Sequence, residues 1–227
     1  MQADICRADL LVERLHAYLV AVAADGGRVV GSEARFDFAV ALDESDAEAS
    51  AVPSVHRVEG TSLSHRAVVS GYIDRVEVYP QTGGEHPQSR GRGWEQMEPG
   101  AAGERVVVVD LKTGKNDPES DTGVREHAQL AAYQVAVQQG LVEGANPAAL
   151  VGARLVIVSK TLAKSEFRIA HQHPLDHEAR ATFLRRVADA ARGMSAASFT
   201  AQVESHCADT QRRVNPCRIH TVPAVSA

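Results

Sequence analysis

Cysteine is scarce in this chain, with three in 227 residues. So few do not make the disulfide framework that small secreted domains use in place of a large core. Long apolar runs are missing as well. The stretch Leu10–Ala24 is broken by Glu13, Arg14 and His16, so it is neither a secretion-signal core nor a membrane span. A cytoplasmic location with no membrane partner is the expectation. Nor is there a basic excess: 24 Lys and Arg stand against 29 Asp and Glu, a formal net charge of −5. This balance argues against a free-standing nucleic-acid binder that works by neutralising phosphates. Two nucleotide motifs are also lacking. Gly114-Lys115 is followed by Asn116, and Val109 stands where a phosphate loop needs its first glycine. No Gly-x-Gly-x-x-Gly opens a helix after a strand, so neither an ATPase nor a dinucleotide fold is expected.

What remains is an ordinary globular composition, 44% hydrophobic and 23% charged. The length suits one domain with insertions and a core that needs no structural metal. Leu11, Leu15, Tyr18, Leu19 and Val22 recur at helical spacing, predicting a helix from Asp4 to Ala24 that Asp25-Gly26-Gly27 ends. The period changes to two across Val29–Leu42, which predicts a strand. Residues 43–62 are acidic and Ala/Ser-rich and predict a loop; a second strand is expected over Arg66–Tyr79. A polar, Gly- and Pro-containing insertion spans about 80–104. The run Val106-Val107-Val108-Val109 suits a central strand buried on both faces, over Arg105–Lys112. After a loop at Thr113–Gly123, a helix over Val124–Gln139 closes at Gly140. A buried strand over Leu150–Ser159 and an edge strand over Ser165–Ala170 follow. An amphipathic helix over Pro174–Ala191 turns Leu175, Phe183, Leu184 and Val187 inward and closes at Gly193. His171, His173 and His177 flank Pro174 and Asp176, which reads as a solvated helix start and not as a metal cluster.

Three segments carry chemistry. They are Gly71-Tyr72-Ile73-Asp74-Arg75 in the second strand, Val109-Asp110-Leu111-Lys112-Thr113-Gly114 at the end of the valine strand, and Gln129-Leu130-Ala131-Ala132-Tyr133 in the next helix. Side chains alternate across a strand, so Asp110 and Lys112 share a face. If the neighbouring strand brings Asp74 alongside, two carboxylates converge near one lysine, and a hard divalent cation is the usual way to hold them together. Gln129 and Tyr133, four apart, share a helix face. Taken alone, Asp74 followed by Arg75 and Glu77 also fits a simple exposed alternating face.

These segments together resemble the RecB-like branch of the PD-(D/E)xK nucleases, over roughly residues 29 to 140. The nearest likeness is to the nuclease domain of actinobacterial AdnAB-type helicase-nucleases. The resemblance implies an α/β, restriction-endonuclease-like αβββαβ core, a central mixed sheet flanked by helices. It implies metal-dependent cleavage of DNA, as an exonuclease, with Mg²⁺ or Mn²⁺ held by Asp74, Asp110 and the Leu111 carbonyl. Lys112 becomes the catalytic lysine, Glu33 in Gly31-Ser32-Glu33 a supporting acid, and Gln129 with Tyr133 the motif flanking DNA and active site. The implied partner is a helicase subunit or fused helicase domain. The alternative is a nuclease-fold module that binds DNA or a helicase without cutting.

Two features depart from the family. His16 lacks the glycine that accompanies the upstream histidine of RecB-like nucleases, and the two are not equated. Some relatives close with a four-cysteine iron–sulfur cluster; here Thr210 stands where the middle cysteine of the tail would fall. Cys207 and Cys217 therefore read as a remnant, with no intact cluster expected from Cys6, His206 or His220 as substitutes. The nuclease domain is expected over 1–203, with insertions at about 43–62 and 80–104, and an irregular tail over 204–227.

Overall fold

All four residues of the run Val106–Val109 are fully buried, but in two different cores. Val106 and Val108 pack into one hydrophobic cluster, Val107 and Val109 into another. Successive strand side chains point to opposite faces, so a continuous apolar run marks a strand covered on both sides. The computed structural model describes residues 2–42, 52–60, 62–80, 103–114, 117–118, 120–161 and 166–196. In chain order they form α1 (Gln2–Ala24), β1 (Arg28–Ala41), β2 (Val55–Arg57), β3 (Arg66–Pro80), β4 (Glu104–Lys112), α2 (Asp121–Val124) and α3 (Ala128–Gln138). A 3-10 turn (Pro147–Ala149), β5 (Leu150–Ile157), β6 (Arg168–Gln172) and α4 (His177–Ser195) complete the order.

The strands make one sheet in the order β2-β1-β3-β4-β5-β6. Only β4 and β5 pair in parallel; every other neighbour is antiparallel. The parallel pair requires a crossover, and α3 supplies it. This is the expected α/β arrangement: helix, three principal strands, helix, strand. Tyr18, Ala21 and Val22 of α1 seal one face against Val107, Val109 and Val156. Leu130 to Val137 of α3, with Phe183 and Leu184 of α4, seal the other. The chain divides into two compact units, Met1–Ala188 and Asp189–Ala227, the first containing the whole sheet. Among the described residues no helix is long and apolar enough to cross a membrane.

Several expectations need correction. The segment taken as a loop at 43–62 contains β2, which pairs Val55–Arg57 with Val40–Phe38. Arg57 of β2 donates to the carbonyls of Gln139 (3.1 Å) and Gly140 (2.9 Å), where α3 ends. The helix expected over Val124–Gln139 is two helices broken at Arg125–His127, and α2 takes the end of the expected loop. Gly140 does close α3: at φ 65° its N–H bonds to Val137 O, and Leu141 N–H reaches back to Ala136 O. Gly193 does not end α4, which runs on to Ser195. The insertion at about 80–104 and the tail at 204–227, with Cys207 and Cys217, lie outside the described residues apart from Pro80, Gly103 and Glu104.

Glu77 is not on an exposed face. It is fully buried under α1, where an unpaired carboxylate would cost several kcal/mol. Tyr18 donates to both its oxygens at 2.9 Å, Tyr79 to Oε2 at 2.6 Å and Arg75 to Oε1 at 2.5 Å. Burial pushes both phenols up, so they stay donors at neutral pH. Arg154 joins from β5, 3.3 Å from the Tyr79 hydroxyl.

Candidate active site

The pairing of β3 with β4 stops at Arg75↔Val109, and the sheet opens there. Lys112 O accepts from Val158 N–H at 3.0 Å, on the β5 side of β4. Backbone groups of successive strand residues point to opposite sides, so Leu111 turns its N–H and carbonyl toward β3. No β3 ladder partner meets it; instead the Asp74 side chain does, its Oδ2 accepting from Leu111 N–H at 2.8 Å. A carboxylate thus takes the place of a ladder bond where the two strands part.

Alternation along β4 puts Asp110 and Lys112 on the same face as Val106 and Val108, under α3. Asp110 is 1% exposed. Lys112 Nζ lies 2.8 Å from its Oδ2. Gln129, at the start of α3, contacts both: its Nε2 donates to Asp110 Oδ1 at 3.1 Å, and its Oε1 accepts from Lys112 Nζ at 3.1 Å. The charges dictate this orientation, because an amide must turn its oxygen to the ammonium and its nitrogen to the carboxylate. Gln129 Nε2 also donates to Tyr133 Oη at 2.7 Å, one helical turn on. The Tyr133 ring meets Phe36 edge-on at 5.8 Å between centroids, which fixes it against β1.

Burial raises Asp110 from 3.8 to about 6; Lys112 opposes the shift and the nearby Asp74 carboxylate adds to it. Burial likewise pushes the Tyr133 hydroxyl up to about 12. The Gln129 hydrogen bond opposes this, and Asp110, Asp74 and Glu33 reinforce it. Glu33 thus lies within electrostatic reach of Tyr133. It is exposed and held at φ 49°, a left-handed conformation rare for glutamate.

Asp74, Asp110, Lys112, Gln129 and Tyr133 are brought together, with Glu33 at their margin. His16 is exposed on α1, across the sheet from Asp110. His171, expected at a solvated helix start, is instead 6% exposed on β6, and burial lowers its ring to about 4. Cys6 is exposed. A cavity of about 600 Å³ between α2, β6 and α4 contains none of the clustered residues. The sequence reading missed His127. It caps α3 by accepting from Leu130 N–H at 3.4 Å, and burial and Lys112 lower its ring against the pull of Asp117. Histidine is an uncommon N-cap, so no start signal marked it.

Among the described residues no group of three His, Cys, Asp or Glu side chains could hold a metal ion. The donors that fit one are two carboxylates, Asp74 and Asp110, and the Leu111 carbonyl turned to the same side. An all-oxygen set with so few protein ligands suits a cation that keeps several waters, as Mg²⁺ does. The desolvated Asp110 carboxylate is the group such a cation would stabilise most.

Compared with known families, residues 98–217 match the sequence model of the PD-(D/E)XK nuclease superfamily. That span includes Asp110, Lys112, Gln129 and Tyr133; Asp74 and Glu33 lie before it. No curated protein matches the chain.

Proposed function

The chain belongs to the PD-(D/E)XK nuclease superfamily, and we propose that it is a metal-dependent deoxyribonuclease of the RecB-like branch, similar to the nuclease domain of AdnAB-type helicase-nucleases. Membership implies a hydrolase of nucleic acid; DNA as substrate, exonuclease action, Mg²⁺ or Mn²⁺ and a helicase partner are the finer reading. One observation carries it. Asp110 is clamped between Lys112 at 2.8 Å and Gln129 at 3.1 Å, beside an Asp74 carboxylate that occupies the gap between β3 and β4.

Asp74, Asp110 and the Leu111 carbonyl would hold the cation. When bound, a divalent ion neutralises charge on the phosphate under attack and makes a nearby water more acidic. Lys112 is placed to orient the attacking water or to stabilise negative charge as it develops. Gln129 holds the lysine and the carboxylate in fixed relation, so neither has to reorganise during the reaction. Tyr133 flanks the site, and Glu33 adds an outer acid. The net charge of −5 supports dependence on a motor that delivers DNA, since the chain carries no basic excess to capture it alone.

The test is degradation of end-labelled single-stranded DNA with Mn²⁺ by the parent, Asp110→Ala and Lys112→Ala. Cleavage by the parent and its loss in both variants are expected. No cleavage by the parent, or equal cleavage by all three, rejects the catalytic reading. Binding without cleavage would favour a nuclease-fold binding module. That second reading draws on the position of His16, which leaves the carboxylates without a histidine from α1.

A further inference from the structure

Gln129 works only if the start of α3 is held in place, and that start follows a break with no glycine or proline to shape it. Val124, Arg125 and His127 turn their carbonyls inward at this break. All three meet one side chain: Gln172 Nε2 lies 2.9, 3.2 and 3.1 Å from them, its two hydrogens shared among the three. Gln172 comes from β6, two strands from Asp110, and is 2% exposed. Its own oxygen accepts from Gln134 Nε2 at 2.9 Å. Gln134, fully buried in α3, also donates to His173 O at 3.1 Å and accepts from Leu175 N–H at 3.1 Å. The His127 carbonyl has a second task, accepting the Ala131 N–H that begins α3.

A buried amide is costly unless its donors and acceptors are used, and here the donors are spent on one turn and the oxygen on Gln134. Carbonyls at the end of a helix as short as α2 have few partners within the helix. An apolar residue at position 172 would fill the same space and take this donor from all three, leaving the Val124 and His127 carbonyls with only the backbone N–H of His127 and of Ala131. We propose that Gln172 is a positioning residue for the active site, fixing the α2–α3 turn so that Gln129 reaches Asp110 and Lys112 together. Its consequence for catalysis rests on the nuclease reading; its consequence for the helix does not.

The test compares the parent with Gln172→Met, which keeps the volume and removes the donors, and with Gln172→Glu, which keeps the shape and sets a carboxyl against three carbonyls. Amide hydrogen exchange at Leu130 and Ala131 should quicken about tenfold or more in both, while Val107 to Val109 keep their protection. For DNA cleavage, kcat should fall about tenfold with little change in KM. That loss should vanish in a Gln129→Ala background, where no placed amide remains to be disturbed. Unchanged exchange at Leu130 and Ala131 would overturn the proposal. So would quickened exchange across the whole sheet, or an equal kcat loss with and without Gln129. If Gln172→Met does not fold, Gln172→Glu decides. An inactive parent would defeat the nuclease reading, and the exchange result alone would then uphold or overturn the role of Gln172.

Discussion

Asp110→Asn should make the metal-free protein more stable at neutral pH. Burial holds the Asp110 carboxyl at about 6 against an ordinary 3.8. At ~1.4 kcal/mol for each tenfold loss of acidity, that difference means that ionising Asp110 in the folded chain costs about 3 kcal/mol. The raised value already includes the help of Lys112. Asparagine removes the charge, though with its oxygen turned to the Lys112 ammonium its NH₂ faces the Gln129 Nε2 donor, which returns about 1 kcal/mol. The net gain is about 2 kcal/mol, or roughly 4–8 °C in Tm for a chain of this size. The sign follows from linkage. A folded carboxyl with a raised pKa binds more protons than the unfolded one between pH 3.8 and about 6, so parent stability falls as pH rises through that window. The advantage of Asp110→Asn should therefore be absent below pH 3.8, grow across the window and stay level above it. Thermal unfolding in EDTA at pH 3.5, 5 and 7.5 measures it. Adding Mn²⁺ at pH 7.5 should raise the parent and leave the variant unmoved. A variant that melts below the parent at pH 7.5 in EDTA, or a difference independent of pH, would refute the reasoning.

Gln129→Glu puts a carboxylate 3.1 Å from Asp110, so the proposed DNA cleavage should fall by about tenfold or more. The side chain is exposed, so urea unfolding should move little. Tyr18→Phe removes a donor from the buried Glu77 carboxylate and should cost about 2 kcal/mol in chemical denaturation, with the site contacts of Asp110 left intact. Gly27→Ala would place a methyl 2.5 Å from Tyr79 Cε1 and 2.7 Å from Val22 Cγ1, so about 1–3 kcal/mol should be lost in the same assay.

The elements that sequence revealed are those with a local signal. Four β-branched valines in succession suit a strand buried on both faces, and that strand placed Asp110 and Lys112. Gln129 and Tyr133 share a helix face because of their spacing, and the structure joins them at 2.7 Å. What stayed hidden depends on distant partners. Three residues of β2 are too few to show a period, and only their register with β1 makes them a strand. The α2–α3 break has no glycine or proline; its carbonyls are met instead by Gln172, some fifty residues away. Glu77 looked exposed because charged residues almost never bury without partners, and two of its partners, Tyr18 and Arg154, lie on α1 and β5.

Glu77 and Asp110 set the two faces of the sheet against each other. Both are buried carboxylates on neighbouring strands, at 0% and 1% exposure. Glu77 receives two tyrosine hydroxyls and an arginine, none of which has to leave for the fold to persist. Asp110 receives one lysine and one glutamine, and its carboxyl still stands well above the ordinary range. A fold that can satisfy one buried acid fully on β3 could have done so on β4. The shortfall sits where β3 and β4 part and where the Leu111 carbonyl and Asp74 turn to the same side. An incompletely neutralised carboxylate in that position is what a divalent cation would complete, and it is why removing the charge should strengthen the fold while ending the proposed cleavage.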